Sequence, residues 1–101
     1  TTPETFGVVE RVLNSEVGPA VAQSLIAQGV NAVSLSGRTS GVLVAQPLTH
    51  LVDGTSADLG LVGVITSVEP SALKELVAAG KVPVISPIAS DALGSKGFNV
   101  N

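Results

Sequence analysis

Val82-Pro83-Val84-Ile85-Ser86-Pro87-Ile88 is a continuous apolar run. It does not alternate, so neither face is prepared for water. A strand of this kind belongs in a parallel sheet with helices above and below. Each proline removes a ladder donor, so Pro83 and Pro87 are expected at the strand's two ends. Just upstream, Pro70–Ala79 carries Leu73, Leu76 and Val77 at helical spacing, with Pro70 at its start and Gly80 at its end. A helix therefore feeds this strand.

Moving outward, residues 1–29 read as helix. Thr2-Pro3-Glu4 supplies a hydroxyl cap, a proline for the first turn and a carboxylate facing the helix N-terminus. Phe6, Val9 and Leu13 form a stripe, interrupted by Asn14-Ser15 and Gly18-Pro19. Two helices, or one broken near 15–18, are expected, with Val21, Ala22, Leu25 and Ile26 on one face and Gly29 as terminator. Val30–Leu35 reads as a strand, Ser36–Gly41 as a turn and Val42–Ala45 as a second strand. Asp53-Gly54 is a turn signal that could set 43–52 against 55–68 as a hairpin. Leu59–Val68 reads as a strand in which Gly60 and Gly63 point to a bulge or a close backbone approach. Residues 89–97 read as loop, and Phe98 opens another extended segment. Helices alternating with strands give an α/β sandwich with a mostly parallel sheet.

The chain has 101 residues, 45% of them apolar and only 13% charged. Soluble domains average about 25% charged residues. Phe6 and Phe98 are the only aromatics. This is the composition of an interior, as though the chain belonged within something larger. With no cysteine there is no disulfide scaffold or thiolate metal site, and the single histidine, His50, makes a weak case for zinc. His50 is expected on an exposed loop. Arg11, Arg38, Lys74, Lys81 and Lys96 are dispersed and form no nucleic-acid footprint. No run approaches a membrane span, and the first residues have no signal-peptide pattern, so the cytosol is the expected compartment.

Candidate chemistry is sparse. Ser36–Gly41 could cradle a phosphate, but it lacks the P-loop spacing and precedes a strand, so a plain turn is expected. Arg38 is read as a solvated turn residue, with contact to an anion as the alternative. Glu10, Glu16, Glu69 and Glu75 are read as helix-face or capping carboxylates. Asn99 and Asn101 share a face if the segment is extended, and two amides could orient a carboxylate without adding charge. Pairing with local backbone is the competing reading.

Five segments in order carry a resemblance: Thr1-Thr2-Pro3-Glu4-Thr5 with Val8-Val9-Glu10; Val33-Ser34-Leu35-Ser36-Gly37; Asp58-Leu59-Gly60-Leu61-Val62-Gly63 with Thr66-Ser67-Val68; Val82–Ile88; and Phe98-Asn99-Val100-Asn101. Together they resemble the acetylglutamate kinases of the amino-acid kinase family. The resemblance implies part of a three-layer α/β/α sandwich with a mainly parallel sheet. Residues 1–101 would be a single partial domain, the substrate-binding and dimerisation half. It implies transfer of the γ-phosphoryl of ATP, with Mg2+, to the side-chain carboxylate of N-acetyl-L-glutamate. Asn99 would hold the substrate's α-carboxylate end, with Asn101 as its same-face neighbour. The family's catalytic lysines and aspartate find no counterpart, so this chain alone is expected to bind no ATP or Mg2+ and to be inactive. The resemblance also implies a homo-oligomer through the first helix, with Phe6, Val9 and Leu13 at the seam. The same stripe would equally serve an intrachain core. Arg38-Thr39-Ser40, Val64 and Ala89-Ser90 depart from the family pattern. A sister kinase for carrier-bound aminoadipate and a non-catalytic dimerisation module are the alternatives.

Overall fold

The computed structural model describes residues 2–48 and 60–101. His50, Asp53-Gly54 and the start of the Leu59–Val68 segment lie outside the described residues. In chain order the elements are α1 (Pro3–Val12), a π-helical segment (Leu13–Val17), α2 (Gly18–Ala27), β1 (Ala32–Ser36), β2 (Leu43–Pro47), β3 (Gly63–Val68), α3 (Ser71–Ala78), β4 (Val82–Ser86), β5 (Ile88–Ser90) and β6 (Gly97–Asn99).

The Thr2 hydroxyl caps α1 by accepting the Thr5 N–H at 3.0 Å, and Pro3 opens the first turn. The expected break near residues 15–18 is absent. Gly18 is helical at φ −57° and ψ −53°, and its N–H reaches back to the Leu13 carbonyl, the bond of a π turn. In a regular α turn the Pro19 ring would press on the carbonyl four residues back, and a wider turn just before it eases that contact. The rod therefore runs unbroken from Pro3 to Ala27.

Two helices end alike, and each delivers a strand. Gly29 (φ +87°) follows α2, with Gly29 N–H to Ile26 C=O at 2.9 Å and Val30 N–H to Leu25 C=O at 3.0 Å. Gly80 (φ +78°) follows α3, with Gly80 N–H to Val77 C=O at 3.0 Å and Lys81 N–H to Leu76 C=O at 2.9 Å. Only glycine adopts this left-handed closure without penalty. The two strands pair in parallel, from Ala32↔Val82 to Ser36↔Ser86. The α/β architecture with parallel pairing is thus what the sequence led one to expect.

The second sheet has the order β3-β2-β5-β6. β2 pairs antiparallel with β3, with a register shift between Val44 and Ala45, and parallel with β5 through Val44↔Ser90. β5 and β6 are antiparallel. Residues 88–90 are therefore strand, where 89–97 had read as loop. Partners on both edges hold a segment whose own composition is indifferent. Pro87 falls between β4 and β5, as expected of a strand end. Pro83 lies inside β4. Val82 N–H donates to Asn31 C=O and Ser86 C=O accepts from Gly37 N–H, so alternate residues face β1 and the Pro83 nitrogen faces the other edge.

Burial concentrates in the second sheet. Ala45, Ala89, Phe98 and Val100 form one cluster, with Leu43 and Leu61 against it. The Val82–Ile88 run is less enclosed than expected: Val82 is 44% exposed, and full burial begins at Ser86 and Ile88. Among the described residues β4 has only β1 as a paired neighbour, which explains this.

Gly37 marks where the two sheets meet. A Cβ there would lie 2.5 Å from the Ile88 carbonyl oxygen and 2.5 Å from Leu43 Cδ1. Gly37→Ala is expected to destabilise the chain by about 1–3 kcal/mol, as overpacking against backbone does. Gly7, in α1, would meet nothing within 4 Å. Gly7→Ala should therefore stabilise by about 0.5–1 kcal/mol through helix propensity. Urea unfolding followed by far-ultraviolet circular dichroism measures both, and shifts of the same sign would contradict this account.

Candidate functional site

β6 presents the amide that the sequence singles out. Phe98 turns into the core at 2% exposure, so Gly97 and Asn99 share the opposite face. Asn99 is clamped by backbone: it pairs with Ile88, bridges Val62, and donates its N–H to Leu61 C=O at 2.8 Å. Val100 N–H then donates to Pro87 C=O at 3.1 Å. The Asn99 side chain is half-buried and makes no hydrogen bond with the described residues. Asn101 lies past the end of β6 and is exposed, so strand pairing does not extend the shared face that far.

The loop before β6 is built around Asp91. Its carboxylate accepts Ser95 N–H at 2.7 Å and Ser95 Oγ at 3.0 Å. Asp91 N–H donates to Lys96 C=O at 2.9 Å, closing the turn. Leu93, at the tip, is 89% exposed. Partial desolvation pushes the Asp91 carboxyl up. Hydrogen bonds from the Lys96, Ser95 and Gly94 backbone and the Ser95 hydroxyl outweigh it and leave the carboxyl below the ordinary aspartate value.

At the other end of the same face, two sequence readings are corrected. Arg38 is not a solvated turn residue, and Glu10 is not a solvated helix-face carboxylate. Arg38 Nη1 donates to both Glu10 oxygens, at 3.0 and 3.3 Å, and the side chains are only 26% and 21% exposed. The guanidinium also lies 5.9 Å over the Phe6 ring. Both groups pack on Gly97, where a Cβ would come within 2.6 Å of Arg38 Nη1 and of Phe6 Cζ. Phe6, at 5% exposure, is therefore intrachain core, the second of the two readings its stripe allowed. Nothing local in the sequence announces this pairing, because its partners lie 28 residues apart. The bridge from Ser86 Oγ to Asn14 Oδ1 at 2.6 Å was equally hidden, with partners 72 residues apart. Glu69 does cap α3, accepting from the Ser71 N–H and hydroxyl, and these two bonds hold its carboxyl below the usual glutamate value. Glu16 forms an exposed pair with Arg11.

Ser36–Gly41 is the plain turn expected. Ser36 Oγ accepts the Arg38 and Thr39 N–H groups at 3.1 and 3.2 Å, so these amides are not presented to a phosphate. Among the described residues no group of three His, Cys, Asp or Glu side chains could hold a metal ion. No helix among the described residues is long and apolar enough to cross a membrane.

The model of the amino acid kinase family matches residues 1–101. The chain belongs to that family. It is 45% identical over 94 residues to the acetylglutamate kinase of Nocardia farcinica, covering 93% of this chain and 31% of that enzyme. It is 40% identical over 101 residues to the acetylglutamate kinase of a Nocardioides species, covering 100% of this chain and 32% of the relative. The chain thus spans about a third of the length of the curated relatives it matches. Among solved structures, it is similar to N-acetylglutamate synthase from Neisseria gonorrhoeae, complexed with coenzyme A and N-acetyl-glutamate. That match has a TM-score of 0.73 at 26% identity and covers 100% of this chain and 22% of that one.

Asp91 gives a test of the site's support. A lowered carboxyl stabilises the folded loop fully above the unfolded aspartate value, and the contribution is lost as pH falls through the folded value. The Ser95 amide should be protected from hydrogen exchange near neutrality and lose protection in that acid window. An Asp91→Asn chain should lose the pH dependence. A Ser95 amide whose protection ignores acid would show that the carboxylate does not hold the loop.

Proposed function

We propose that this chain is the acceptor-substrate half of an acetylglutamate kinase of arginine biosynthesis, a cytosolic enzyme. Asn99 carries the reading: a half-buried amide on a clamped strand, uncommitted to any described residue. It stands at the position where the family resemblance calls for contact with the substrate's α-carboxylate. A primary amide suits that task, because its N–H groups donate to a carboxylate without a fixed charge to desolvate. Asn101 is a secondary contact. The kinases of Nocardia farcinica and the Nocardioides species support the substrate class by name, and the gonococcal synthase of similar fold was solved with N-acetyl-glutamate.

The reaction transfers the γ-phosphoryl of ATP to a side-chain carboxylate oxygen, giving an acyl phosphate and ADP. Such transfer depends on cations placed around the moving group. Here Arg38 and Arg11 are paired with Glu10 and Glu16, and Lys74, Lys81 and Lys96 are dispersed along the chain. The role of the chain is therefore to hold and orient the acceptor, with ATP and Mg2+ bound by other parts of the kinase. Val8, Val17, Val21, Val77 and Val82 are exposed, an apolar surface that suits a chain with further protein packed on it. Pairing of copies through α1 would then use Val9 and Leu13, with Val8 beside them, since Phe6 is already occupied.

The test is acyl-phosphate formation trapped as a hydroxamate. The Nocardia farcinica kinase, with its matching segment replaced by this chain, should turn over N-acetyl-L-glutamate. Asn99→Ala in that chimera should raise KM for N-acetyl-L-glutamate about 10–100-fold, the cost of a lost hydrogen bond to a charged group, and leave KM for ATP unchanged. The 101-residue chain alone should release no ADP above background. A soluble chimera that accepts only an aminoadipate substrate, or an Asn99→Ala variant with unchanged KM, would overturn the reading.

A further inference from the structure

We infer that the Arg38–Glu10 ion pair is the positioning device of the acceptor site, setting Asn99 relative to α1. This rests on the acetylglutamate kinase reading above. The Arg38 backbone is fixed in the β1–β2 turn, where its N–H donates to Ser36 Oγ at 3.1 Å. Its guanidinium leaves that turn, binds Glu10 on α1 and lies against Gly97 at the start of β6. Three elements are joined at one planar cation. Gly97 and Asn99 point to one face of β6, so the pair bears on the strand one repeat away from the amide. Phe6 closes the junction from the α1 side, its ring edge against Gly97 and its face under the guanidinium.

Arg38 does not act as a substrate contact in this arrangement. Its charge is already balanced by Glu10, and both side chains are about three-quarters buried. What the pair supplies is placement. Without it, the contact of α1 on Gly97 would rest on the Phe6 ring, and an apolar contact has no preferred direction where a hydrogen-bonded ion pair has one. A shift of an ångström at a binding group is enough to cost a large factor in substrate use.

The experiment uses the active kinase carrying this chain, with N-acetyl-L-glutamate and ATP varied separately. Arg38→Ala should raise KM for N-acetyl-L-glutamate about tenfold, with kcat and KM for ATP within about twofold of the parent, as expected for misplacement of a binding group. Arg38→Lys, which keeps a donor for Glu10, should recover most of the loss. The exchanged pair, Glu10→Arg with Arg38→Glu, should recover more than either single change. If Arg38→Ala does not yield folded protein, Glu10→Gln carries the test, because it keeps the shape and removes the charge, and its KM should rise in the same selective way. An unchanged acceptor KM in the folded variants, or a fall in kcat with no change in KM, overturns the inference while leaving the kinase reading intact. A parent protein without kinase activity defeats that reading instead.

Discussion

The Ile88 carbonyl occupies the space that a side chain on residue 37 would need. The rest of the structure depends on this contact between two stretches of backbone. At Gly37 the chain leaves β1 and turns toward β2; at Pro87 it leaves β4 and enters β5. The two exits face each other through Gly37 N–H to Ser86 C=O at 3.3 Å, and Leu43 N–H to Gly37 C=O at 2.9 Å ties the start of β2 to the same point. One crossing thus hands both strands of the parallel pair to the mixed sheet together. The partners of β5, and through it the place of β6 and Asn99, follow from that hand-over.

The energetic weight lies on the far side of the crossing. Ile88, Ala89 and Phe98 are almost wholly enclosed, and alanines at 45 and 89 leave room for the Phe98 ring. Burying a large side chain of this kind contributes about 1.5–3 kcal/mol. The parallel pair is poorer. Its helix-facing side holds Ser34, Ser36 and Ser86, and contact with the rod is made in part by the Asn14–Ser86 hydrogen bond. A polar contact of this kind contributes about 1 kcal/mol, but fixes direction better than methyl groups do. The chain therefore combines an apolar anchor under the candidate site with a directional, weakly buried joint beside it.

Much of this was legible locally. Thr2-Pro3, Gly29 and Gly80 mark helix ends because their capping chemistry is confined to a few neighbouring residues. The strands at 32–36 and 82–86 follow from apolar runs. What stayed hidden depends on residues distant in sequence. Arg38 reads as a solvated cation until Glu10 and Phe6 are brought to it. Ser86 passes unnoticed within an apolar run until Asn14 arrives above it. Ala89-Ser90 reads as loop until β2 and β6 supply its ladder. For the candidate site, Asn99 was nameable from its type and its neighbours in the motif, whereas the clamp that aims it was not.

The π turn at Leu13–Val17 has a consequence for geometry at larger scale. It takes up one residue more than an α turn, so the half of the rod that follows is rotated by about 100° relative to an uninterrupted helix. Phe6, before the turn, points at β6; Gly18, after it, lies against Ser34 of β1. A straight α-helix of the same sequence could satisfy only one of these contacts. The extra residue is thus a phase correction that lets a single axle drive two sheets set at different angles. Their mutual orientation is written into helical register.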